Sequence, residues 1–549
     1  MENPSLGPLV RAVAPDGIAI WTEWGQPGEV KLTATPLDPG EGQVLSSVSS
    51  CSRTVTIGGR HYALSCLTGL HPATWYSYQV SNVEQAVSSS PAEKALVQCF
   101  RTLDLPNSEK SWKLAYGSCR KLSAVEPDAL NALGPWLMRC IDERETLWPR
   151  LLLLIGDQIY ADDRITDPVL SFEDFARKYA EAWSDDAGIR QALAVLPTYM
   201  IFDDHEITNS WNIAPAWRAW ALQHGLEQTL VDGLVAYWVY QGWGNIALQN
   251  PDEHDLLALM QQAEQSGEDV LEALRARIRQ TVYEEKLIDW HYTIPTVPPL
   301  FVADVRADRP AVLDDKKLAG AIPRIMSQQQ MEHLRAWVQE HDTSIALLVS
   351  SVPALLPPLI GFAEYVMGVR PLQRRSSGIL YRSGRLLAKG QQKLALRMSF
   401  EHWPVFGATW RELVDLLTLR KRDLIILSGD VHFSYAMKAH RFRSSSKRRT
   451  TLYQLVASPF RNVLEQRDKS LVLGQAWIKR AIYGGLSMKI LPLQDAKSPK
   501  RIPSALLFQN VVSLVTFSPC GDDEGTYRIQ QTYLGVRQQI LDELASTVI

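Results

Sequence analysis

The sequence predicts an α/β protein preceded by a small all-β domain of the immunoglobulin-like or fibronectin-like kind. Residues 1–103 hold about seven short runs in which apolar and polar residues alternate, with turns such as Gly58-Gly59 between them. From residue 112 to residue 549, short apolar runs are instead separated by stretches of helical periodicity, which is the α/β pattern. The polar residues 104–111 between the two regions predict a linker.

The larger region alternates predicted strands with predicted helices. Residues 213–291 interrupt this order and predict a tryptophan-rich helical insertion, which we expect to pack against the rest of the chain. The most apolar stretch, 354–369, is broken by two prolines and a glutamate. We expect it to form a loop and a helix on the body of the protein, with a membrane-touching lid as the weaker alternative. Further helices are predicted in residues 126–148, 172–195, 327–341, 410–419 and 536–545.

The composition is typical of a globular protein in water. The 549 residues are 46% hydrophobic and 21% charged, and the formal net charge is −3. This balance indicates neither nucleic acid nor a membrane surface as a partner. No run approaches the roughly 20 apolar residues of a membrane span. The N-terminal residues have neither a signal-peptide pattern nor a transit pattern, so the expected location is the cytoplasm.

Six cysteines are scattered along the chain, at positions 51, 66, 99, 119, 140 and 520. Their spacing matches neither a zinc ribbon nor a disulfide scaffold. We therefore expect most of them to be buried thiols. A bridge among Cys51, Cys66 and Cys99 is the alternative for the N-terminal region.

Four apolar runs end in residues that can bind a metal ion or transfer a proton. Each run is short enough to be a buried strand of a parallel sheet. Ligands of open α/β sheets bind just beyond the carboxyl ends of the strands, so the four ends together predict one shared metal site. The four segments are Leu114–Arg120, Leu151–Tyr160, Tyr199–Glu206 and Leu424–His432.

Each segment offers a different ligand chemistry. Asp157 follows a glycine at a strand end and is a natural carboxylate bridge between two ions. Tyr160 can reach the same ion as a phenolate, and Cys119 can bind as a thiolate. Any one of these residues alone is as readily structural as functional, and the four segments together favour function. The remaining candidates are the pair Asp204 and His205, a ligand beside a proton donor, and the pair Asp430 and His432, which project from one side of an extended segment.

Together the four motifs resemble those of the alkaline phosphatase D family, which belongs to the calcineurin-like metallophosphatases. The resemblance spans residues 112 to about 460, and the β-rich N-terminal region resembles the domain that precedes the catalytic domain in that family. It implies a four-layer α/β/β/α metallophosphatase sandwich with two packed sheets. The matching motifs are Gly117-Ser-Cys-Arg120, Gly156-Asp-Gln-Ile-Tyr-Ala-Asp162, Asp203-Asp-His-Glu-Ile-Thr-Asn209 and Ser428-Gly-Asp-Val-His432.

The resemblance also implies a binuclear metal centre, most readily iron(III) with calcium, and with manganese or zinc as alternatives. The implied ligands of the iron(III)-like ion are Cys119, Asp157, Tyr160 and His432. The implied ligands of the second, harder ion are Asp157, Asp204 and Asp430, and Asn209 is a candidate further ligand. Oxygen-only ligation at the second position agrees with calcium.

Three residues are candidates for acting on the phosphate group. By the same resemblance, His205 donates a proton to the leaving oxygen or stabilises the phosphoryl group in the transition state. Arg306 lies in a segment that resembles a strand end of the family, and its guanidinium can bind two phosphate oxygens at once. Arg120 is the second candidate clamp. The plain alternative for each arginine is an ordinary ion pair.

These residues predict a metal-dependent phosphoesterase that hydrolyses phosphate mono- or diesters by attack of a metal-bound hydroxide. Basic runs at 370–393 and 438–449 are typical of solvated loops. Because they flank the predicted site, the steering of a polyanionic substrate is the alternative. The main alternative is a binding or scaffold protein with a degenerate phosphatase fold, and the complete ligand set argues against it. An oxygenase requires two histidines and one carboxylate around a single iron, which fits these motifs poorly.

Overall fold

The computed structural model describes residues 3–37, 45–83, 96–105, 110–163, 169–184, 187–209, 220–283, 286–310, 323–368, 400–442, 450–520 and 526–549. The predicted basic run 370–393 lies outside these residues. So do residues 443–449 of the second basic run and residues 213–219 of the predicted insertion.

Strands dominate both ends of the chain, and helices lie between them. The strands are β1 Leu6–Val13, β2 Gly17–Trp24, β3 Glu29–Pro36, β4 Val48–Arg53, β5 Val55–Ile57, β6 Arg60–Thr68, β7 Trp75–Asn82, β8 Cys99–Arg101, β9 Trp112–Gly117, β10 Leu151–Ile155, β11 Thr198–Ile201, β12 Tyr292–Ile294, β13 Leu300–Val302, β14 Ala346–Val349, β15 Leu424–Ser428, β16 Tyr435–Arg441, β17 Thr451–Val456, β18 Arg480–Tyr483, β19 Leu486–Ile490, β20 Gln494–Asp495, β21 Val511–Pro519, β22 Tyr527–Arg537 and β23 Ile540–Val548.

The helices include short 3-10 turns and one π turn. The α-helices are Ala129–Arg139, Arg144–Leu147, Phe172–Ser184, Ala187–Leu193, Glu227–Tyr237, Trp243–Asn245, Asp255–Ser266, Leu271–Val282, Gln328–Glu340, Pro358–Gly368, Gly407–Leu419 and Gln466–Gly474. The 3-10 turns are Ile141–Glu143, Asp204–Glu206, Pro251–Glu253 and Trp403–Val405, and the π turn is Trp238–Gly242.

The N-terminal region is a sandwich of two antiparallel sheets, as its alternating sequence predicts. One sheet has the order β1-β2-β6-β5 and the other β4-β3-β7-β8. Alternation is clearest in β3, where Val30, Leu32 and Ala34 are buried and the residues between them are more exposed. The predicted boundary between residues 103 and 112 falls between β8 and β9.

Two larger sheets follow, and they confirm the predicted four-layer α/β architecture. Their strand orders are β11-β10-β9-β21-β22-β23-β20 and β12-β13-β14-β15-β17-β16-β19-β18. In the second sheet, Leu347 and Leu427 share one apolar cluster with the first sheet, whereas Leu348 and Ile426 pack in another with the helices Gln328–Glu340 and Gly407–Leu419. The helix Ala129–Arg139 contacts β21, β22 and β23 of the first sheet. These layers place a helical surface outside each sheet.

Parallel pairing brings the motif strands side by side. β9, β10 and β11 pair in parallel with one another, and β13, β14, β15 and β17 form a second parallel block. Their carboxyl ends therefore lie at the same edge of each sheet. The two sheets meet at these ends, because the backbone amide of Asp430 donates to Ser118 Oγ at 2.9 Å.

The tryptophan-rich insertion packs on the N-terminal sandwich. Buried Arg11 in β1 donates to the carbonyl oxygens of Tyr240 (3.1 Å) and Gln241 (2.6 Å) and to Asn245 Oδ1 (2.9 Å). The indole of Trp21 donates to the carbonyl oxygen of Val239 at 3.0 Å. The π turn Trp238–Gly242 is thus held by side chains from two strands of the sandwich.

The C-terminal amphipathic helix predicted at 536–545 is wrong, because these residues belong to the hairpin of β22 and β23. The pairing shifts where Tyr533 faces Ala545 and Leu534 faces Glu543, which leaves Leu544 as an extra residue in β23. This bulge buries the consecutive residues Leu544 and Ala545 together with Leu541. Buried positions then recur at three- and four-residue steps, which imitates a helix in the sequence.

The cysteine and membrane predictions can be compared directly with the structure. Only Cys99 and Cys119 are buried, so the expectation that most of the six cysteines are buried thiols is wrong. All six cysteines are free, so the alternative of a bridge within the N-terminal region is wrong. Among the described residues, no helix has the length and apolar character needed to cross a membrane.

Candidate metal centre

The structure brings the four strand ends together around Asp157. Potential ligand atoms lie within 4.8 Å of one another in three overlapping groups, and Asp157 belongs to each of them. It is fully buried, and a central carboxylate of this kind can bridge two ions. The groups are Cys119 with Asp157 and His432, Asp157 with Asp204 and His205, and Asp157 with Asp203, Asp204 and Asp430.

Four of the gathered residues have a left-handed backbone that is unusual outside glycine. The φ angles are 58° at Cys119, 54° at Asp157, 66° at Asp430 and 59° at His432. Such conformations cost about 1 kcal/mol or more each and persist where the surrounding structure imposes them. The strands β9, β10 and β15 therefore each end in a sharp turn next to the common centre, whereas β11 leads into the 3-10 turn Asp204–Glu206.

The motif glycines allow the strand ends to approach closely. A Cβ atom at Gly117 would overlap the Phe460 ring, one at Gly156 would overlap Asp203, and one at Gly429 would overlap Ser118. Gly156 also has a φ of +87°, which an L side chain rarely adopts. The spacing of glycine before the ligand in these motifs is thus a requirement of close packing.

The buried carboxylate of Glu206 binds the backbone of the turns that follow β10 and β11. Its carboxylate accepts the amide hydrogens of Asp157 (3.1 Å), Gln158 (2.7 Å) and Asp203 (2.7 Å). Burial raises the pKa of Glu206 to about 7, although these amide hydrogen bonds oppose the rise. The sequence shows Glu206 as part of a motif, but the local pattern does not reveal that it holds a turn of another strand.

Cys119, Tyr160 and His432 form one side of the centre. Burial raises the pKa of the Cys119 thiol, and the neighbouring carboxylates of Asp157 and Asp430 raise it further. Burial likewise raises the pKa of Tyr160, whose hydroxyl donates to Asp157 Oδ2 at 3.3 Å. A bound cation would oppose these shifts by favouring the thiolate and the phenolate.

Asn462 supports two of these side chains and was not found by sequence reasoning. The backbone carbonyl oxygen of Asn462 accepts a hydrogen bond from Nδ1 of His432 at 2.7 Å. In the neutral imidazole this leaves the lone pair of Nε2 available to a metal ion. The carboxamide nitrogen of Asn462 donates to the hydroxyl of Tyr160 at 2.9 Å. Burial lowers the pKa of His432, so the imidazole favours its neutral, ligand-ready form. Asn462 follows no recognisable motif.

Asp204 and Asp430 lie on the other side, close to a buried arginine. Arg306 is fully buried and forms ion pairs with Asp203 and Glu401. Its Nη2 atom is 3.6 Å from a carboxylate oxygen of Asp204 and 3.6 Å from one of Asp430. The guanidinium therefore neutralises part of the acidic cluster, and its predicted role as a phosphate clamp remains a prediction.

His402 adds a second cation at this side. Its Nδ1 lies 2.6 Å from Glu364, which is fully buried, and its Nε2 lies 3.5 Å from Asp430. Burial lowers the pKa of His402, but Glu364 and Asp430 outweigh this effect and raise it to about 10. Burial would raise the pKa of Asp430, but the hydrogen bond from His402 and the charge of Arg306 lower it overall. Glu364 was noticed in the sequence only as a break in an apolar stretch.

His205 stands beside the centre with its ring over Tyr160, at a centroid separation of 4.2 Å. Its Nδ1 pairs with Asp162 at 2.8 Å. Burial lowers the pKa of His205, but the charges of Asp204 and Asp157 and the hydrogen bond to Asp162 raise it to about 10. In the metal-free protein the imidazole is therefore protonated at neutral pH, and Asp162 holds its orientation.

Two further residues predicted for the site are Arg120, which is buried in an ion pair, and Asn209, which is exposed. Arg120 is buried and binds Asp128 at 2.7 Å and the carbonyl oxygen of Ala182. Asn209 is exposed, and its backbone amide donates to Asp162 at 2.8 Å. Their predicted roles, as phosphate clamp and metal ligand, remain predictions.

A cavity of about 520 Å³ opens beside Tyr160. Lys121 lies above the Tyr160 ring, with its Nζ atom 5.6 Å from the centroid. The cavity provides cationic side chains next to the centre, which suits an anionic group. Its charged lining residues are Arg120, Asp163, Lys178, Glu181 and Arg461.

The donor set fits a pair of cations. Several acidic groups lie within ligand distance of one another, and burying them without compensation is costly. One side offers sulfur, phenol oxygen and imidazole nitrogen, and the other offers carboxylates, which suits ions of different softness. This chemistry does not by itself identify the metals.

Comparisons with known proteins agree with this architecture. A solved structure described as "Structure of PhoD" matches with a TM-score of 0.61 and 14% sequence identity, over 100% of this chain and 91% of that one. This chain has a PhoD-like fold. At such low identity the likeness establishes the fold alone. A family model described as a domain of unknown function (DUF7800) matches residues 1–99, a range that contains the strands β1 to β7 of the sandwich. None of the curated proteins matches this chain.

Proposed function

We propose that this protein is a metal-dependent phosphoesterase that hydrolyses phosphate mono- or diesters with water as the nucleophile. The observation that carries the proposal is the convergence of the four strand ends on Asp157, with left-handed turns at four of the gathered residues. The PhoD-like fold supports the reaction class. The cytoplasmic setting stays a prediction of the sequence.

The residues of the centre divide into two sets of ligands. Cys119, Tyr160 and His432 would hold one ion, for which iron(III) is proposed because a phenolate favours a ferric centre. Asp204 and Asp430 would hold the harder ion, for which calcium is proposed, and Asp157 would bridge the two. When bound, the ions would supply Lewis-acid stabilisation of the phosphate group and a lower pKa for the attacking water.

The side chains around the centre have distinct tasks. His205, oriented by Asp162, would donate a proton to the leaving oxygen as the ester bond breaks. Arg306 keeps Asp203, Asp204 and Asp430 in place by neutralising part of their charge. Lys178 and Arg461 line the cavity beside Tyr160 and attract the anionic remainder of the substrate.

The test is a hydrolysis assay on purified protein loaded in turn with iron, calcium, manganese and zinc. We expect turnover of p-nitrophenyl phosphate or of bis-p-nitrophenyl phosphate, and the ratio of the two rates separates monoesterase from diesterase. Asp157→Asn should abolish turnover and lower the metal content. Asp415→Asn, at an exposed position of the helix Gly407–Leu419, is the matched control and should behave as wild type.

The proposal is overturned if folded protein hydrolyses neither ester with any of the four metals. If that inactive protein binds metal ions, the alternative of a binding or scaffold protein on a phosphatase fold takes its place. Circular dichroism and the melting temperature establish that each variant is folded.

A further inference from the structure

A second cluster of metal-ligating side chains lies apart from the candidate centre. Asp289, His291 and His333 each offer one ligand atom, and these three atoms lie within 4.8 Å of one another. None of the three belongs to the motifs around Asp157. Asp289 and His291 precede β12 at the end of the helical insertion, and His333 lies on the helix Gln328–Glu340.

The two imidazoles are already close to the spacing of metal ligands. His291 Nε2 and His333 Nδ1 are 3.0 Å apart. Two nitrogens bound to one tetrahedral zinc ion at about 2.0–2.1 Å lie roughly 3.3 Å apart. An ion at this position would replace the hydrogen bond between the two rings, and the two nitrogens would separate by a few tenths of an ångström. Asp289 Oδ1 now lies 3.9 Å from the other ring nitrogen of His291, Nδ1, so the carboxylate would turn toward the ion.

Neighbouring residues fix the orientation of the cluster. The His291 ring stacks on Phe301 of β13, with centroids 5.4 Å apart and planes at 16°. Gln329 Nε2 donates to Asp289 Oδ1 at 3.4 Å, and Gln329 lies one turn before His333 on the same helix. Such supporting contacts reduce the ordering cost of ligand binding.

The exposure of the cluster suits an ion that arrives from solvent. Asp289 and His333 are exposed, so water can complete the coordination of an ion held by the three side chains.

We propose that Asp289, His291 and His333 form a second metal site, which takes a divalent transition ion such as Zn²⁺ and ties the end of the helical insertion to the helix Gln328–Glu340. Two imidazoles and one carboxylate suit zinc, cobalt, nickel or copper, whereas calcium and magnesium prefer oxygen ligands. The site is structural and does not depend on the proposed phosphoesterase activity.

The test counts zinc ions bound to the full chain after chelator treatment, by equilibrium dialysis at micromolar free Zn²⁺ and elemental analysis. His333→Gln removes an exposed ligand and should bind one zinc fewer than wild type. His341→Gln, at the C-terminal end of the same helix, is the matched control and should keep the full number. Asp289→Asn should bind this zinc about tenfold or more weakly.

The melting temperature is a second measurement, which tests the site even if a variant is partly unfolded or binds zinc weakly. Zn²⁺ should raise the melting temperature of Asp157→Asn by several degrees, and should not raise that of the double variant Asp157→Asn, His333→Gln. Cobalt should give the visible absorption of a nitrogen–oxygen site only in the first of these proteins, and Mg²⁺ should give no shift in either. Equal zinc content and equal melting shifts with and without His333 would overturn the site.

Discussion

At the scale of the residue, the candidate centre depends on side chains that the motifs do not include. Asn462 donates a hydrogen bond from its side-chain carboxamide to Tyr160 and accepts one from His432 at its backbone carbonyl oxygen. Arg306 and His402 place two cations beside Asp430. These residues set the orientation and charge of the motif ligands. Their removal should therefore weaken metal binding more than it destabilises the fold.

Asn462→Ala is expected to lower phosphoesterase activity and metal content by about 10-fold. The change removes the hydrogen bond to the Tyr160 hydroxyl but leaves the backbone carbonyl that orients His432. Steady-state kinetics and elemental analysis measure the two effects. Asn250→Ala, at an exposed turn, is the control. Unchanged metal content and rate in Asn462→Ala would remove this residue from the centre.

The raised pKa of His205 predicts a pH dependence of stability in the metal-free protein. The folded-state pKa of about 10 exceeds the ordinary value of 6.5. The stabilising contribution is therefore complete below pH 6.5 and is lost as the pH rises toward 10. Urea unfolding of chelator-treated protein should show that wild type loses stability across this range relative to His205→Gln. Parallel curves for the two proteins would contradict the shift.

At the scale of the element, one buried arginine joins the N-terminal sandwich to the helical insertion. Arg11 donates to the π turn and to Asn245, and burial lowers its pKa to about 10. Arg11→Met keeps the apolar volume but leaves buried carbonyl groups without a donor. We expect a loss of about 3 kcal/mol in the free energy of unfolding.

Urea denaturation of the metal-loaded protein measures this loss. Arg177→Met, on the exposed face of the helix Phe172–Ser184, is the matched control and should change the free energy by less than about 0.5 kcal/mol. If Arg11→Met is as stable as the control, the junction does not depend on these hydrogen bonds.

The elements also show where periodicity is a sufficient guide. The helix Gln328–Glu340 lies in the predicted range 327–341. It begins after Ser327, whose side chain accepts the amide hydrogen of Gln330. The C-terminal hairpin was missed because a single bulge in β23 changes the spacing of its buried residues. A bulge depends on the partner strand, so the spacing within one segment does not reveal it.

At the scale of the whole molecule, metal binding and folding should be coupled. The ligands of the candidate centre come from both large sheets and from segments as distant as Cys119 and His432. An ion that binds only this assembled set stabilises the native state by mass action, by about 2.7 kcal/mol at 100 times its dissociation constant.

Removal of metal by a chelator should therefore lower the melting temperature of wild type, and returning the metal should restore it. Asp157→Asn, which lacks the central ligand, should show a smaller change. Calorimetry with and without chelator measures the difference, and the His333→Gln background removes any contribution of the second site. In the His333→Gln background, the chelator should lower the melting temperature more when residue 157 is Asp than when it is Asn. Equal decreases in the two proteins would argue against the centre.

The sequence by itself determined the α/β class, the β-rich N-terminal region and the four strand ends that carry the candidate ligands. These features follow from short-range patterns: alternation, apolar runs, and a glycine just before a ligand. Each motif contains its own strand, turn and side chain, so its local structure is encoded in at most ten consecutive residues.

Only the tertiary structure decided which distant groups complete the centre. Ser118 binds the amide of Asp430, Asn462 holds Tyr160, and Glu364 orients His402. It also decided that Arg120 pairs with Asp128. The physical reason is that these contacts form where the strand ends of two packed sheets meet, and no periodicity within one segment specifies which residues of another will lie against it.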